Sequence, residues 1–367
     1  MAESRFFDDR LTYLSFVTTS NEKNIVADQL STVIKSIPKE KAALRIFDAG
    51  IGDGSLLMNV IKNCHKEFPY IPFFVMAKEI SIEDVRIALE KLADRFIEHP
   101  NMVFTITNLY FSEAASLRSK SPKKQKKMKW KTLALNGNSS HDFNKQLTNI
   151  DDLLKDAWTI DEDPKTHRAT YRNPSVLTIY RKDHENLLDR YIPEQNDNNK
   201  LFDLIIASQP YRSRTSEKKK VDYVINPMID ALNKNGRLAV VHSSGNDSVT
   251  KAIKKIWPNE VPFPTPASKI IKYLKKSLPG KKLDDLIFHK PINFKFYLKS
   301  IPTDNNSIAT SLFSAAWSNI VYVGQMSADK IQKAQVNGDH ETVIKELLDD
   351  EANKIHFKNE IFVIEKK

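Results

Sequence analysis

The chain has 367 residues, 41% hydrophobic, 9% aromatic and 28% charged, a balance that excludes global disorder and fibrous architecture and allows a large buried core. Its single cysteine, Cys64, excludes an internal disulfide and any multi-cysteine zinc or iron–sulfur site, and fits a reducing, cytoplasmic setting. The net charge of +10 would suggest a nucleic-acid binder, yet residues 118–131 alone hold eight bases and no acid, leaving the rest of the chain at only +2.

Asn24 to Ile37 repeats apolar residues at helical spacing and stops at Pro38. Ala43 to Ala49 is a short apolar run ending on Asp48, a strand; Gly54 to Phe68 returns to helical spacing. Phe73 to Met76 is a second strand, Ser81 to Phe96 a helix opened by a loose capping box, and Met102 to Thr107 a third strand. Strands separated by helices predict βαβ units and a parallel sheet. The rhythm breaks over residues 112–200, far more chain than a connection needs. We expect an insertion there, flexible near its lysines and folded elsewhere, with a β-like run at Val176 to Tyr180. Alternation resumes with a strand at Leu201 to Ala207, a helix near Tyr223 to Asn233 and a strand at Arg237 to His242. Helices follow near Ser248 to Trp257 and Ser268 to Leu278, then β-like runs at Phe294 to Leu298 and Ile361 to Ile364, with a polar helical tail from Ala328 to Ala352 between them. The two late runs suit an antiparallel edge. No window approaches the length of a membrane span and the N-terminus has no signal-peptide pattern, so a cytoplasmic protein without a membrane anchor is expected.

Glycine is the outlier of the composition: 9 in 367 residues, under 3% against a usual ~7%, with three of them at Gly50, Gly52 and Gly54. They follow a strand and open a helix, in the pattern D-x-G-x-G-x-G starting at Asp48. A dinucleotide fingerprint is G-x-G-x-x-G. The spacing found here resembles motif I of class I S-adenosylmethionine-dependent methyltransferases. That resemblance implies S-adenosylmethionine as cofactor and a Rossmann-like, mostly parallel seven-stranded α/β sheet flanked by helices, from which the large insertion expected between strands three and four is a departure. It also assigns cofactor-binding positions: Asp48, Gly50, Gly52 and Gly54 in the loop, Glu79 after the second strand for the ribose hydroxyls, Asn108 after the third for adenine, and Ser208 after the fourth. The organisation expected is residues 1–111 as N-terminal helical cap and first half of the cofactor domain, 112–200 as insertion, and 201–367 as second half with substrate-side additions.

The ends of the chain are similar to the histamine N-methyltransferase-like group. The carrying residues are Phe7-Asp8-Asp9-Arg10-Leu11-Thr12-Tyr13, Thr18-Thr19-Ser20-Asn21-Glu22, Phe202-Asp203-Leu204-Ile205 leading to Gln209, Ser243-Ser244-Gly245, Phe357-Lys358-Asn359 and Val363-Ile364-Glu365. The resemblance implies Glu22, Gln209 and Asn359 as the residues that hold the substrate amine or imidazole, with Phe7, Tyr13 and Tyr211 as aromatic walls. It covers about two thirds of the chain and skips the insertion. Ser208-Gln209-Pro210-Tyr211 is a partial match to the Asn/Asp/Ser-Pro-Pro-aromatic motif of amino-methylating enzymes, with Gln in place of the first Pro.

Other signals are weaker. The nine histidines show no H-x-x-x-H spacing, so no catalytic metal is expected, and Ser208, Ser243 and Ser244 lack a nucleophile elbow. The expected function is therefore methyl transfer to nitrogen of a small amine or imidazole-like partner. The alternatives are an N-methyltransferase acting on RNA or protein recruited through Arg118 to Lys131, and a non-catalytic cofactor-binding scaffold.

Overall fold

Apolar side chains that alternate along each strand build a core on each face of one large sheet. In the computed structural model, residues 10–163, 169–195, 201–301, 311–352 and 354–367 are described; Phe7 lies outside them. The strands are β1 (Leu44–Asp48), β2 (Phe73–Lys78), β3 (Met102–Thr107), β4 (Lys129–Leu135), β5 (Ile160–Glu162), β6 (Ala169–Tyr171), β7 (Ser175–Arg181), β8 (Phe202–Ser208), β9 (Leu232–Ser243), β10 (Leu286–Phe288), β11 (Ile292–Tyr297) and β12 (His356–Lys366). The main sheet has ten strands in the order β10-β12-β9-β8-β1-β2-β3-β7-β4, with β11 also paired to β12. Its centre, β9-β8-β1-β2-β3, is parallel, and β12 lies antiparallel to β9. This is a mixed α/β, Rossmann-like sheet whose direction of winding reverses between β1 and β8.

The strand-like runs expected from sequence are β1, β2, β3, β7, β8, β9, β11 and β12; β4 and β10 join them, so the sheet has ten strands and not seven. Two of the ten come from residues 112–200. β7 pairs antiparallel with β3 and β4 parallel with β7, so this part of the segment extends the sheet. The basic run hid β4 from view, because lysines interrupt the apolar count. The alternation is nonetheless there: Leu133 and Leu135 pack on one face of the sheet, Trp130 and Ala134 on the other. Lys131 stays exposed on this edge strand, which suits an edge that must not pair with another chain.

Period-two packing assigns the two faces. Along β1 and β8, Leu44, Ile46, Leu204 and Ile206 meet the helices Glu22–Lys35 and Ser55–Glu67 on one face, while Phe47, Phe202 and Ile205 join the other core with Met228 and Ile270. A third core lies under the helices Ser248–Ile256, Leu312–Val323, Ala328–Val336 and Asp339–Asp350, and takes in Phe16 from the helix Arg10–Thr19. The helix expected over Ser81 to Phe96 is two, Ile82–Glu90 and Ala93–Glu98, and Ser81 caps the first by accepting from Asp84 N. Among the described residues no helix is long and apolar enough to cross a membrane.

One backbone position fixes how the first loop meets its neighbour. Gly54 caps the helix Ser55–Glu67 at φ +81°, and a Cβ there would sit 2.9 Å from Ala88 Cβ and 3.0 Å from Ala88 Cα. Both the left-handed conformation and the close packing demand glycine. Gly54→Ala is expected to lower unfolding stability by about 1–3 kcal/mol in urea denaturation; an unchanged midpoint would show that the Ile82–Glu90 helix can back away freely.

Candidate functional site

The carboxyl ends of β1, β2, β8 and β9 open into a cavity of about 270 Å³, the place where sheets of this kind bind ligands. Its floor is the loop after β1. Gly50, Ile51 and Gly52 line it, together with Glu79 and Lys78 at the end of β2 and Ser208 and Gln209 at the end of β8. The roof is the helix Arg10–Thr19, which contributes Tyr13 and Phe16, and the far wall holds Phe296 of β11 and Tyr322 of the helix Leu312–Val323.

The glycines differ in what they do. Gly52 is left-handed at φ +52°, and a Cβ there would run into the Tyr13 hydroxyl. Gly50 has neither constraint: its φ is not positive, and nothing lies within 4 Å of where its Cβ would be. The space in front of it is open and belongs to the cavity. Beneath it Asp48 is buried, with Oδ1 accepting from Gly50 N at 3.0 Å and Oδ2 without a hydrogen-bond partner among the described residues. The Ser208 hydroxyl on the cavity wall is likewise buried and unpartnered among the described residues. Glu79 is more occupied. Oε2 accepts from Gly52 N at 3.0 Å, and Oε1 from Ile80 N at 2.7 Å and Ser81 N at 3.0 Å. A carboxylate has about four acceptor sites, so room for one more donor remains.

Asn108 does not line the cavity. It is buried, its amide donates to Ala157 O at 3.2 Å and Asn173 O at 2.9 Å, and its Oδ1 accepts from Ser175 N at 2.8 Å. Its side chain is spent on fastening the segment between β3 and β8 to the end of β3. The same segment sends Trp158 Nε1 to Glu79 O at 2.9 Å, so it buttresses the cavity from below.

Glu22, Gln209 and Asn359, distant in sequence, converge beside the loop. Glu22 is buried at the first turn of the helix Glu22–Lys35, where the helix dipole favours its charge. Its Oε1 accepts from Asn359 Nδ2 at 3.1 Å and from Gln209 Nε2 at 3.5 Å, and its Oε2 lies 2.9 Å from Lys23 Nζ. Gln209 Nε2 also donates to Ser243 Oγ at 3.2 Å and to Asn359 Oδ1 at 3.4 Å. Asn359 is fully buried on β12, in register with Ser243 of β9, whereas Gln209 reaches in from an exposed position and holds a left-handed φ of +48°. A bulky residue held there marks a site where the fold imposes the conformation.

The aromatic residues divide. Tyr13 lines the cavity, with its hydroxyl donating to Asp53 Oδ1 at 3.2 Å, and burial pushes its pKa up to about 12. Tyr211 does not line it, and bonds instead to His242 on the other face of the sheet. Phe16, Phe296 and Tyr322, which the sequence reading did not single out, complete the wall: the Phe16 ring lies 5.1 Å from Tyr322 and 6.1 Å from Phe296. Phe16 was findable, three residues after Tyr13 on one helical face. Phe296, Tyr322 and Lys78 carry no sequence signal; only the fold brings them there. Among the described residues no group of three or more His, Cys, Asp and Glu side chains is arranged to hold a metal ion.

No family model and no curated protein matches this chain. Among solved structures it is similar to a candidate class I S-adenosylmethionine-dependent methyltransferase from Listeria monocytogenes, at 10% identity and a TM-score of 0.34, over 94% of this chain and 59% of that one. It is similar to a candidate sarcosine dimethylglycine methyltransferase from Galdieria sulphuraria at 9% identity and TM-score 0.38, covering 94% and 85%. A third is phosphoethanolamine N-methyltransferase 2 of Haemonchus contortus, at 11% identity and TM-score 0.30, covering 92% and 52%. The chain thus spans little more than half the length of the first and third. Likeness this distant carries no argument about chemistry, which rests on the site itself.

Asp48 supplies a test of the buried floor. Desolvation raises its pKa from the ordinary 3.8 to about 7, against the opposing hydrogen bond from Gly50 N and the charge of Lys23. The folded state therefore holds a proton that the unfolded chain has lost. Stability from this group is full below about pH 4 and is lost as pH rises through 7. Asp48→Asn, which keeps the acceptor for Gly50 N, is expected to gain stability relative to wild type progressively between about pH 4 and 7. Urea titrations at several pH values check this, and a pH-independent difference would mean that the carboxyl does not titrate in that range.

Proposed function

We propose that this chain is a class I S-adenosylmethionine-dependent methyltransferase that transfers methyl to the nitrogen of a small amine or imidazole-like acceptor. The observation that carries the reading is that Glu22 and Gln209 meet at an aromatic-walled cavity floored by the loop after β1, with Asn359, which does not itself line the cavity, bonded to both from behind. The residues present fit the cofactor: open space in front of Gly50, unpartnered Asp48 Oδ2 and Ser208 Oγ, and the unused acceptor capacity of Glu79 for a ribose hydroxyl. S-adenosylmethionine, when bound, supplies a methyl group already activated on a sulfonium.

What the protein must add is orientation and exclusion of water, which together can contribute several kcal/mol. Asn359 and Gln209 fix the Glu22 carboxylate, which then anchors a cationic part of the acceptor or takes the proton that the nitrogen sheds as its new N–C bond forms. The faces of Phe16, Phe296 and Tyr322 favour a cation over a neutral guest.

A second reading, an RNA or protein acceptor, has one observation in its favour. Phe111 lines both this cavity and a neighbouring surface depression that includes Lys120, and Arg118, Lys120, Lys123, Lys126, Lys127 and Lys131 are exposed. Other bases of the run are engaged: Lys129 pairs with Asp156, and Lys124 Nζ bonds Tyr171 O.

A labelled-methyl screen offering histamine and other small amines, RNA and peptides separates the two readings, with transfer expected to the amines. Removing the charges at 118–131 should leave small-amine turnover intact; loss of turnover, or transfer only to RNA with a steep salt dependence, favours the second reading. Calorimetry tests the cofactor assignment. Gly50→Val should leave stability nearly unchanged while weakening S-adenosylmethionine by on the order of tenfold or more; wild-type protein that binds none overturns the proposal. Asn359→Ala should reduce kcat/KM for the amine by roughly tenfold to a hundredfold, the scale for a buried bond to a charged group.

A further inference from the structure

Behind the acceptor site, on the opposite face of the same strands, runs a second hydrogen-bonded chain. The Tyr211 hydroxyl bonds His242 Nδ1 at 2.6 Å, and His242 Nε2 bonds Glu360 Oε1 at 2.8 Å. Glu360 Oε1 also accepts from Ala267 N at 2.7 Å, at the start of the helix Ala267–Ser277. His242 and Glu360 are buried, at 4% and 6% exposure. Burial holds the His242 pKa below its ordinary value, so the ring is neutral. A neutral ring has one donor, and since Glu360 can only accept, that donor is Nε2–H and Nδ1 receives the tyrosine proton.

The three members of this chain are sequence neighbours of three acceptor-site residues. Tyr211 follows Gln209 by two residues, His242 precedes Ser243, and Glu360 follows Asn359. On β9 and β12 the register pairs Ser243 with Asn359 and His242 with Glu360. Adjacent strand residues point to opposite faces, so Ser243, which lines the cavity, and Asn359 behind it share one face, and the next pair locks the same two strands from the other. The loop carrying Gln209 is tied at further points beyond Tyr211. Lys220 Nζ donates to Ser213 O at 3.0 Å and stands 4.5 Å over the Tyr211 ring, and Ser213 N donates at 3.0 Å to Oε1 of Gln325, which lines the cavity.

We propose that Tyr211, His242 and Glu360 are positioning residues that hold Gln209, Ser243 and Asn359 in the geometry the acceptor requires. The inference rests on the methyltransferase reading for its catalytic consequence, though not for its structural one. Gln209 pays a backbone cost for its left-handed φ, and it sits on an exposed loop. Without an anchor two residues away, relaxation of that φ would swing its amide off Glu22 and Asn359.

The test uses the full chain and three variants. Tyr211→Phe removes one hydroxyl, and His242→Leu removes both links. His242→Gln restores an acceptor and a donor on one terminal amide. Crystal structures of each should show Gln209 Nε2 displaced from Asn359 Oδ1 in Tyr211→Phe and His242→Leu, and retained in His242→Gln. With the amine that the screen selects as probe, KM should rise roughly three- to tenfold in the first two, as expected for one lost hydrogen bond. S-adenosylmethionine affinity should stay constant, and His242→Gln should return KM to near wild type. An unmoved Gln209 in both damaging variants overturns the proposal. So does a parallel fall in kcat, amine affinity and cofactor affinity, which marks a general loss of packing. If wild-type protein transfers methyl to no amine, the catalytic reading fails while the structural arm still decides the role of the buried chain.

Discussion

The hydrogen bond from Asn359 Nδ2 to Glu22 Oε1 is the constraint on which the site depends, because it closes a buried carboxylate with groups from opposite ends of the chain. Taking a carboxylate out of water costs several kcal/mol unless its acceptors are filled. Here Asn359 and Gln209 bond Oε1, Lys23 stands as an ion pair against Oε2, which has no hydrogen-bond partner among the described residues, and burial, which works against the Lys23 charge, is outweighed by the Glu22 carboxylate beside it. Helix Glu22–Lys35 can carry a buried acid at its start only if β12 has already inserted antiparallel to β9. The polar centre therefore exists only in the finished fold, and the aromatic wall of Phe16, Phe296 and Tyr322 forms around it by the same docking.

A second consequence concerns the segment between residues 112 and 200. Through β4 and β7 it widens the sheet, and through Ala157, Trp158, Asn173 and Ser175 it takes up the polar groups at the ends of β2 and β3. Asn108 faces this segment and not the cavity for a plain reason. A side-chain amide that meets two carbonyls and a backbone N–H in the core has spent both donors and one of its two acceptor sites away from the cavity. The lysines of the segment stay outside, where their charge is solvated.

How much was legible varies by residue. The loop from Asp48 to Gly54 was readable because φ angles and close approaches select glycine locally at Gly52 and Gly54, whereas nothing in the backbone or packing demands it at Gly50. The central strands were readable because burial on both faces leaves short continuous apolar runs in the sequence, and β4 was missed because lysines interrupt such a run. Tyr211 was expected as a cavity wall, yet two residues beyond the strand end the chain has turned and the ring meets His242. Such a turn has no signature in composition.

The sequence by itself determined the parallel sheet and the glycine loop, since these follow from local backbone preference and from the spacing of apolar side chains, while the polar residues near the strand ends were pointed to by resemblance to a family. Only the tertiary structure decided which of those residues share a site. Glu22 and Asn359 stand 337 positions apart, and the partner that satisfies a buried polar group is chosen by strand register and helix docking, which no local pattern encodes.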